Sequence, residues 1–219
     1  MKASLKVFHK SIYEAYQQLG FVIQLSLLWL LCSIPLITIG FANSGVLYCI
    51  EHKNNRNSLF KNFFIGMKEY FKPTLLLTAL YLFFVVPGIL YFSILFSSEN
   101  IWIISLSLII LYGLLLVHLM LIYIFPLMMK QNEMRVSRIL AKTFKITIEN
   151  IGFSINVFIY ILLVTAITVI FPLLLLILAG VVGFILYYSV THTLSTYSTS
   201  HEEVEWKVNW RGSWRPWRT

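Results

Sequence analysis

Five polar side chains interrupt otherwise apolar stretches of the chain, and these are the residues that could do chemistry there. They are Gln24, Asn43, His118, Asn156 and His192. A histidine can transfer a proton or bind a metal near neutral pH. Each of these two histidines stands alone on an apolar segment, where a hydrogen bond to a neighbouring helix is the more common role. We therefore expect the five residues to join helices, with a polar lining for a solute as the alternative.

Other signals of catalysis are missing from the sequence. The chain has no Asp, and its Glu residues lie in loops, at the edges of apolar runs or near the C-terminus. Ion-coupled carriers usually keep a carboxylate inside the membrane. Neither Cys32 nor Cys49 has Cys or His partners at metal-ligand spacing, and no phosphate-binding loop, nucleophile elbow or zinc-protease motif is present. The sequence predicts no enzyme, metal or cofactor; an intramembrane enzyme acting on lipid or lipid-linked sugar would depend on the two histidines.

The elements that position these residues are apolar segments long enough to cross a bilayer. Of the 219 residues, 58% are hydrophobic and only 12% are charged, whereas soluble domains carry about a quarter charged residues. A crossing helix needs about 20 apolar residues. We predict an all-α, polytopic transmembrane bundle of about six spans within a transmembrane domain of residues 1–198. The spans lie near residues 17–35, 37–51, 73–96, 101–128, 150–171 and 173–195.

Short blocks of Lys and Arg separate the apolar runs and predict the topology. Cytoplasmic loops collect such residues, which also argues against a nucleic-acid partner despite the net charge of +8. All the blocks share one side only if residues 19–50 cross twice, with a turn at Pro35 and Gly40. We therefore predict six spans with both termini in the cytoplasm. The alternatives are five spans with an outside N-terminus, or a re-entrant first segment.

Two basic segments have the spacing of amphipathic helices. Bulky apolar residues recur at helical spacing through residues 58–73 and 136–153, with Lys and Arg at other angles. We expect both helices to lie on the cytoplasmic surface and contact anionic lipid, with docking of a cytoplasmic partner as the alternative. The order of span, basic helix and proline-containing span occurs twice, with Pro87 and Pro172, which hints at an internal repeat.

The C-terminal residues 199–219 form a tail rich in Trp and Arg, expected in the cytoplasm. A basic residue follows each of four regularly spaced tryptophans. Trp favours the headgroup region and Arg favours anionic lipid, so a tail lying on the membrane is the simplest account. Carbohydrate or protein binding by the aromatic rings is the alternative. The candidate lipid-surface residues are Trp206, Trp210, Trp214, Trp217, Arg211 and Arg215.

Residues 27–50 contain a Trp-Leu-Leu run at Trp29, a proline at Pro35, Thr-Ile-Gly ending at Gly40, and a Leu-Tyr pair ending at Tyr48. This pattern resembles the opening signature of the YesL-like family of bacterial membrane proteins. The following Phe- and Lys-rich helix and residues 124–132 fit the same family. The resemblance implies a multi-pass protein of the Gram-positive plasma membrane, often encoded beside sugar-uptake transporters and polysaccharide-degrading enzymes.

Two functions are therefore expected. The first is a non-enzymatic accessory or regulatory protein of a bacterial plasma membrane that assists carbohydrate uptake, with an ABC-type sugar importer as its partner. The second is a small-solute transporter or channel, which the polar span residues and Pro87-Gly88 motivate. A break at Pro87-Gly88 could form a binding site, or could let helices kink and approach each other.

Overall fold

The computed structural model describes residues 2–35, 38–53, 58–98 and 100–197. These residues form nine α-helices and one short 3-10 turn, Pro172–Leu174, and contain no β-strand. The predicted all-α helical bundle is therefore confirmed. The helices are α1 Lys2–Gln17, α2 Leu19–Cys32, α3 Ile39–Glu51, α4 Leu59–Glu69, α5 Phe71–Phe96, α6 Ile101–Lys130, α7 Val136–Glu149, α8 Ile151–Ile170 and α9 Leu175–Tyr197.

Among the described residues, α5, α6, α8 and α9 are apolar and long enough to cross a membrane. The protein is thus a multi-pass membrane protein. One apolar helix corresponds to each of the six predicted spans, but α2 and α3 have only 14 and 13 residues, against the roughly 20 that a full crossing requires. A fifth candidate exists only if α1 and α2, which meet at a bend of 96°, are counted as one broken span. By length, four or five crossings are supported rather than six.

The nine helices fall into three consecutive triplets of the same order: α1–α3, α4–α6 and α7–α9. Each begins with an amphipathic helix, continues after a single connecting residue into an apolar helix, and ends with a second apolar helix. The connecting residues are Gln18, Tyr70 and Asn150, with φ of −118°, −96° and −119° and ψ of 39°, 18° and 34°. The sequence hinted at two copies of a repeat. The structure contains three, because residues 2–17 form an amphipathic helix that the sequence did not predict.

Contacts between the triplets have a three-fold pattern. The last helix of each triplet packs against the first two helices of the next triplet, and α9 closes the ring by packing against α1 and α2. The three last helices, α3, α6 and α9, also contact one another at the centre. The residue four positions after each connecting residue, namely Val22, Thr74 or Ser154, is fully buried. The equivalent helices therefore share one rotational register.

The unpredicted helix α1 uses small side chains for its buried face. Ser4, Val7, Ser11 and Ala15 recur three or four residues apart, as a helical stripe requires, and each is at most 3% exposed. The Ser11 hydroxyl lies 3.3 Å from the Phe184 carbonyl oxygen of α9. Lys2, Lys6 and Lys10 recur every four residues in the sequence, and this spacing was the signal available there.

The structure has a connection at the predicted turn near Pro35 but no break at Pro87-Gly88. Pro35 lies in the connection between α2 and α3, where its carbonyl oxygen accepts a hydrogen bond of 2.7 Å from the Thr38 hydroxyl. Gly40 lies inside α3, and its missing side chain lets α5 approach. α5 runs without interruption through Pro87 and Gly88, since a transmembrane helix can accommodate a proline's missing donor. A Cβ on Gly88 would lie 2.7 Å from Leu114 Cδ2, so this glycine permits close packing of α5 on α6.

Candidate functional site

Two adjacent cavities lie beside α5. The outer cavity has a volume of about 1240 Å³ and is bounded by the start of α3, by α4, by the first part of α5 and by the start of α7. The inner cavity has a volume of about 820 Å³ and lies among α3, α5, α6, α7, α8 and α9. Leu80 of α5 and Leu140 of α7 line both. The two cavities therefore share a wall and form one candidate site.

A tyrosine–histidine pair lies at the inner cavity. His118 Nδ1 is 2.8 Å from the Leu114 carbonyl oxygen, and His118 Nε2 is 3.1 Å from the Tyr81 hydroxyl. A carbonyl oxygen can only accept, so Nδ1 carries the proton; in the neutral ring Nε2 then accepts from the tyrosine. Both ring nitrogens are thus engaged inside the protein. The pair joins α5 to α6 and leaves no ring nitrogen free for a metal or for proton transfer to a ligand.

Asn43 also lines the inner cavity. Its Oδ1 accepts a hydrogen bond of 2.8 Å from Trp29 Nε1, which connects α3 to α2. Most of the remaining wall consists of Leu, Ile, Val, Met and Phe side chains. The inner cavity is therefore a mainly apolar space, and each of its polar side chains makes at least one hydrogen bond within the protein.

The other three candidate polar residues lie elsewhere. Gln24 is exposed on α2. Asn156 Nδ2 donates to the Gly152 carbonyl oxygen of its own helix at 2.6 Å. The His192 ring stacks on Phe153 with centroids 5.2 Å apart. The structure thus brings together Asn43 and His118 and adds Tyr81, whose pairing with a histidine 37 residues away has no local sequence signal.

The outer cavity has a basic edge. Lys68, Lys72 and Arg135 line it together with one acid, Glu69, while its other walls are largely apolar. None of the three cations forms an ion pair within the described part of the chain. The outer cavity therefore combines unneutralised positive charge with an apolar interior.

The connecting residue Tyr70 lies between Lys68 and Lys72 in the sequence, and its side chain connects two segments of the chain. Its hydroxyl donates to Asn132 Oδ1 at 3.3 Å, which joins the start of α5 to the loop before α7. Burial, followed by the nearby carboxylate of Glu69, raises the pKa of Tyr70 to about 12. Its hydroxyl is therefore protonated at neutral pH and able to donate.

A second polar cluster lies where α1, α3, α6 and α9 meet. Glu14 is mostly buried and accepts contacts from Lys10 at 2.9 Å and Lys53 at 3.1 Å. Lys130 lies 3.9 Å from Glu51 and 4.4 Å from the centre of the Tyr187 ring. The sequence did not indicate this cluster because α1 was not predicted. Its two glutamates are each paired with lysine, and no group of three potential metal ligands occurs among the described residues.

The tail residues Trp206, Trp210, Trp214, Trp217, Arg211 and Arg215 lie outside the described residues. Comparison of the chain with protein-family models, curated proteins and solved structures finds no match. The similarity to the YesL-like family therefore remains a prediction from the signature residues.

Proposed function

We propose that this multi-pass membrane protein is a non-enzymatic accessory or regulatory component of a bacterial plasma membrane, with both termini in the cytoplasm. The observation that carries the proposal is the state of the polar groups at the inner cavity. His118, Tyr81 and Asn43 all have hydrogen-bond partners within the protein. A catalytic centre needs a group free to act on a substrate, and these groups are occupied in holding helices together.

The proposed partner is an ABC-type sugar importer, which rests on the YesL-like signature around Trp29, Pro35 and Gly40. The exposed basic residues of α4 and α7 offer this partner a cytoplasmic surface. The test is purification of the tagged protein in mild detergent from its own bacterium, together with sugar uptake by a deletion strain. We expect importer subunits to co-purify and uptake to fall. If no importer subunit co-purifies and uptake is unchanged, the proposal is wrong.

A transporter or channel is the second candidate, and the inner cavity of about 820 Å³ is the observation in its favour. A hydrophilic solute would lose its hydration there and find few unpaired groups to replace it, which is costly. We therefore expect purified protein in vesicles to show no flux of sugars, amino acids or ions above protein-free vesicles. A saturable flux would favour the transporter.

Replacing His118 and His192 with Phe distinguishes an intramembrane enzyme from an accessory protein and from a transporter. We expect this variant to support sugar uptake as well as the wild type, once both are present at equal levels in the membrane. Loss of uptake by a variant that still folds would favour chemistry at one of the histidines.

A further inference from the structure

Along both α5 and α7, the outer cavity is lined by residues near the N-terminal end of the helix and the inner cavity by later residues. On α5 the outer cavity contacts Lys72 and the inner cavity extends to Phe84, a distance of about 18 Å at 1.5 Å per helical residue. On α7 the outer cavity begins at Arg135, just before the helix, and the inner cavity reaches Phe144. Along both helices, positive charge at one end gives way to an apolar interior at the other.

The cavity pair opens at the apolar surface of the protein. Phe84 and Phe144 line the inner cavity and are also 60% and 47% exposed. Leu76 of the outer cavity is 50% exposed. Leu76 and Phe84 belong to the membrane-spanning helix α5, where exposed apolar side chains contact lipid, so a molecule can enter this space from the bilayer without passing through water.

The excess of basic side chains at the outer cavity favours anionic lipids over the other molecules of the bilayer. Lys68, Lys72 and Arg135 outnumber the single acid Glu69 at the outer cavity. Clustered basic residues beside a membrane attract anionic headgroups, and a guanidinium group binds phosphate oxygens with two parallel hydrogen bonds. The apolar interior accepts hydrocarbon. The required ligand therefore has a negative phosphate at one end and an acyl chain at the other.

We propose that the two cavities form one binding site for an anionic phospholipid, whose phosphate lies at Lys68, Lys72 and Arg135 and whose acyl chain occupies the inner cavity. The bound lipid bridges α4, α5 and α7, and so joins the second triplet to the third. This site is independent of the proposed accessory function, because it requires only this protein and lipid.

The first test compares two double variants that remove the same number of charges from α4 and from the α7 region. Lys68→Gln/Arg135→Gln removes charges at the cavity, and Lys61→Gln/Lys145→Gln removes exposed charges that do not line it. Binding of fluorescent phosphatidylglycerol to the purified full chain is measured against phosphatidylcholine. We expect the cavity pair to weaken phosphatidylglycerol binding roughly tenfold and the control pair to change it by less than about twofold. Equal losses in both pairs would show a diffuse surface effect and overturn the proposal.

A second test addresses the acyl chain and does not depend on the first variants. Ala141 lines the inner cavity, whereas Ala166 is exposed on α8 and lines neither cavity. We expect Ala141→Phe to weaken phosphatidylglycerol binding several-fold and Ala166→Phe to leave it unchanged. Glycerol phosphate at the same concentration should not compete. Competition by glycerol phosphate, or tight lipid binding by Ala141→Phe, would show that the acyl chain does not occupy the inner cavity.

Discussion

Two helix interfaces related by the three-fold pattern differ in how tightly they are closed. In α9–α2, a Cβ on Gly180 would lie 3.1 Å from the Val22 carbonyl oxygen, and Gly180 N donates to the Ser26 hydroxyl oxygen at 2.9 Å. In α3–α5, Gly40 takes the place of Gly180, and the three atoms nearest to a Cβ there are side-chain atoms of Thr74 and Thr78. In the first interface the Gly180 backbone packs against both the side chain and the backbone of Val22. In the second interface Gly40 packs on the Thr74 and Thr78 side chains, and the inner cavity lies beside this contact, so one register produces both a sealed contact and a more open one.

The largest effect is expected from filling the sealed interface with Gly180→Leu. The Val22 backbone cannot move aside without displacing α2, and overpacking of this kind costs about 1–3 kcal/mol or more. We expect loss of monodisperse protein on size-exclusion chromatography in detergent. Gly113→Leu is the matched control, because a Cβ there meets nothing within 4 Å. Equal yields of the two variants would mean that the α9–α2 contact is not tight.

In the open α3–α5 interface, a substitution at Gly40 should destabilise the protein less, and a second substitution should restore part of the lost stability. Gly40→Ala would overlap the Thr78 hydroxyl oxygen, a side-chain atom, so we expect a cost of about 1–3 kcal/mol in the free energy of unfolding. Adding Thr78→Ala should recover part of that loss. Unfolding in mixed micelles is measured for the wild type, the two single variants and the double variant. If the two single effects simply add in the double variant, the side-chain contact is contradicted.

A single hydrogen bond distinguishes the two interfaces at equivalent positions. Ser26 accepts a bond from Gly180 N, whereas the Thr78 hydroxyl bonds within its own helix, to the Thr74 carbonyl oxygen. We expect Ser26→Ala to cost about 0.6–1.5 kcal/mol and Thr78→Ala to cost less, as measured by unfolding in mixed micelles. The reverse order would show that the hydrogen bond does not strengthen the sealed interface.

The smallest effect is expected outside both interfaces. The Lys145 side chain is 73% exposed and lies 3.9 Å from Glu149 in the same helix, and exposed pairs contribute only about 0–1 kcal/mol. Lys145→Ala should leave the midpoint of thermal unfolding nearly unchanged. A large shift in that midpoint would show that surface interactions of α7 contribute to stability alongside the helix interfaces.

The sequence by itself determined the class of the protein and most of its helices. Apolar runs and amphipathic spacing are local properties, and they placed α4 to α9 within a few residues of their observed bounds. Helix α1 was missed because much of its buried face is small or polar, at Ser4, Ser11 and Ala15, and gives little apolar signal. The first predicted span, 17–35, was longer than α2, because a long apolar run does not show where its turn begins and ends.

Only the tertiary structure decided how the helices meet. The hydrogen bond between Ser26 and Gly180 joins residues 154 positions apart, and that between Tyr81 and His118 joins residues 37 apart. Such pairs depend on helix rotation and spacing, which packing sets and a local pattern does not encode. The same holds for the three-fold arrangement and the cavity pair. The predicted polar residues were present in the sequence, but which of them share a cavity was decided by the packing of α3, α5 and α6.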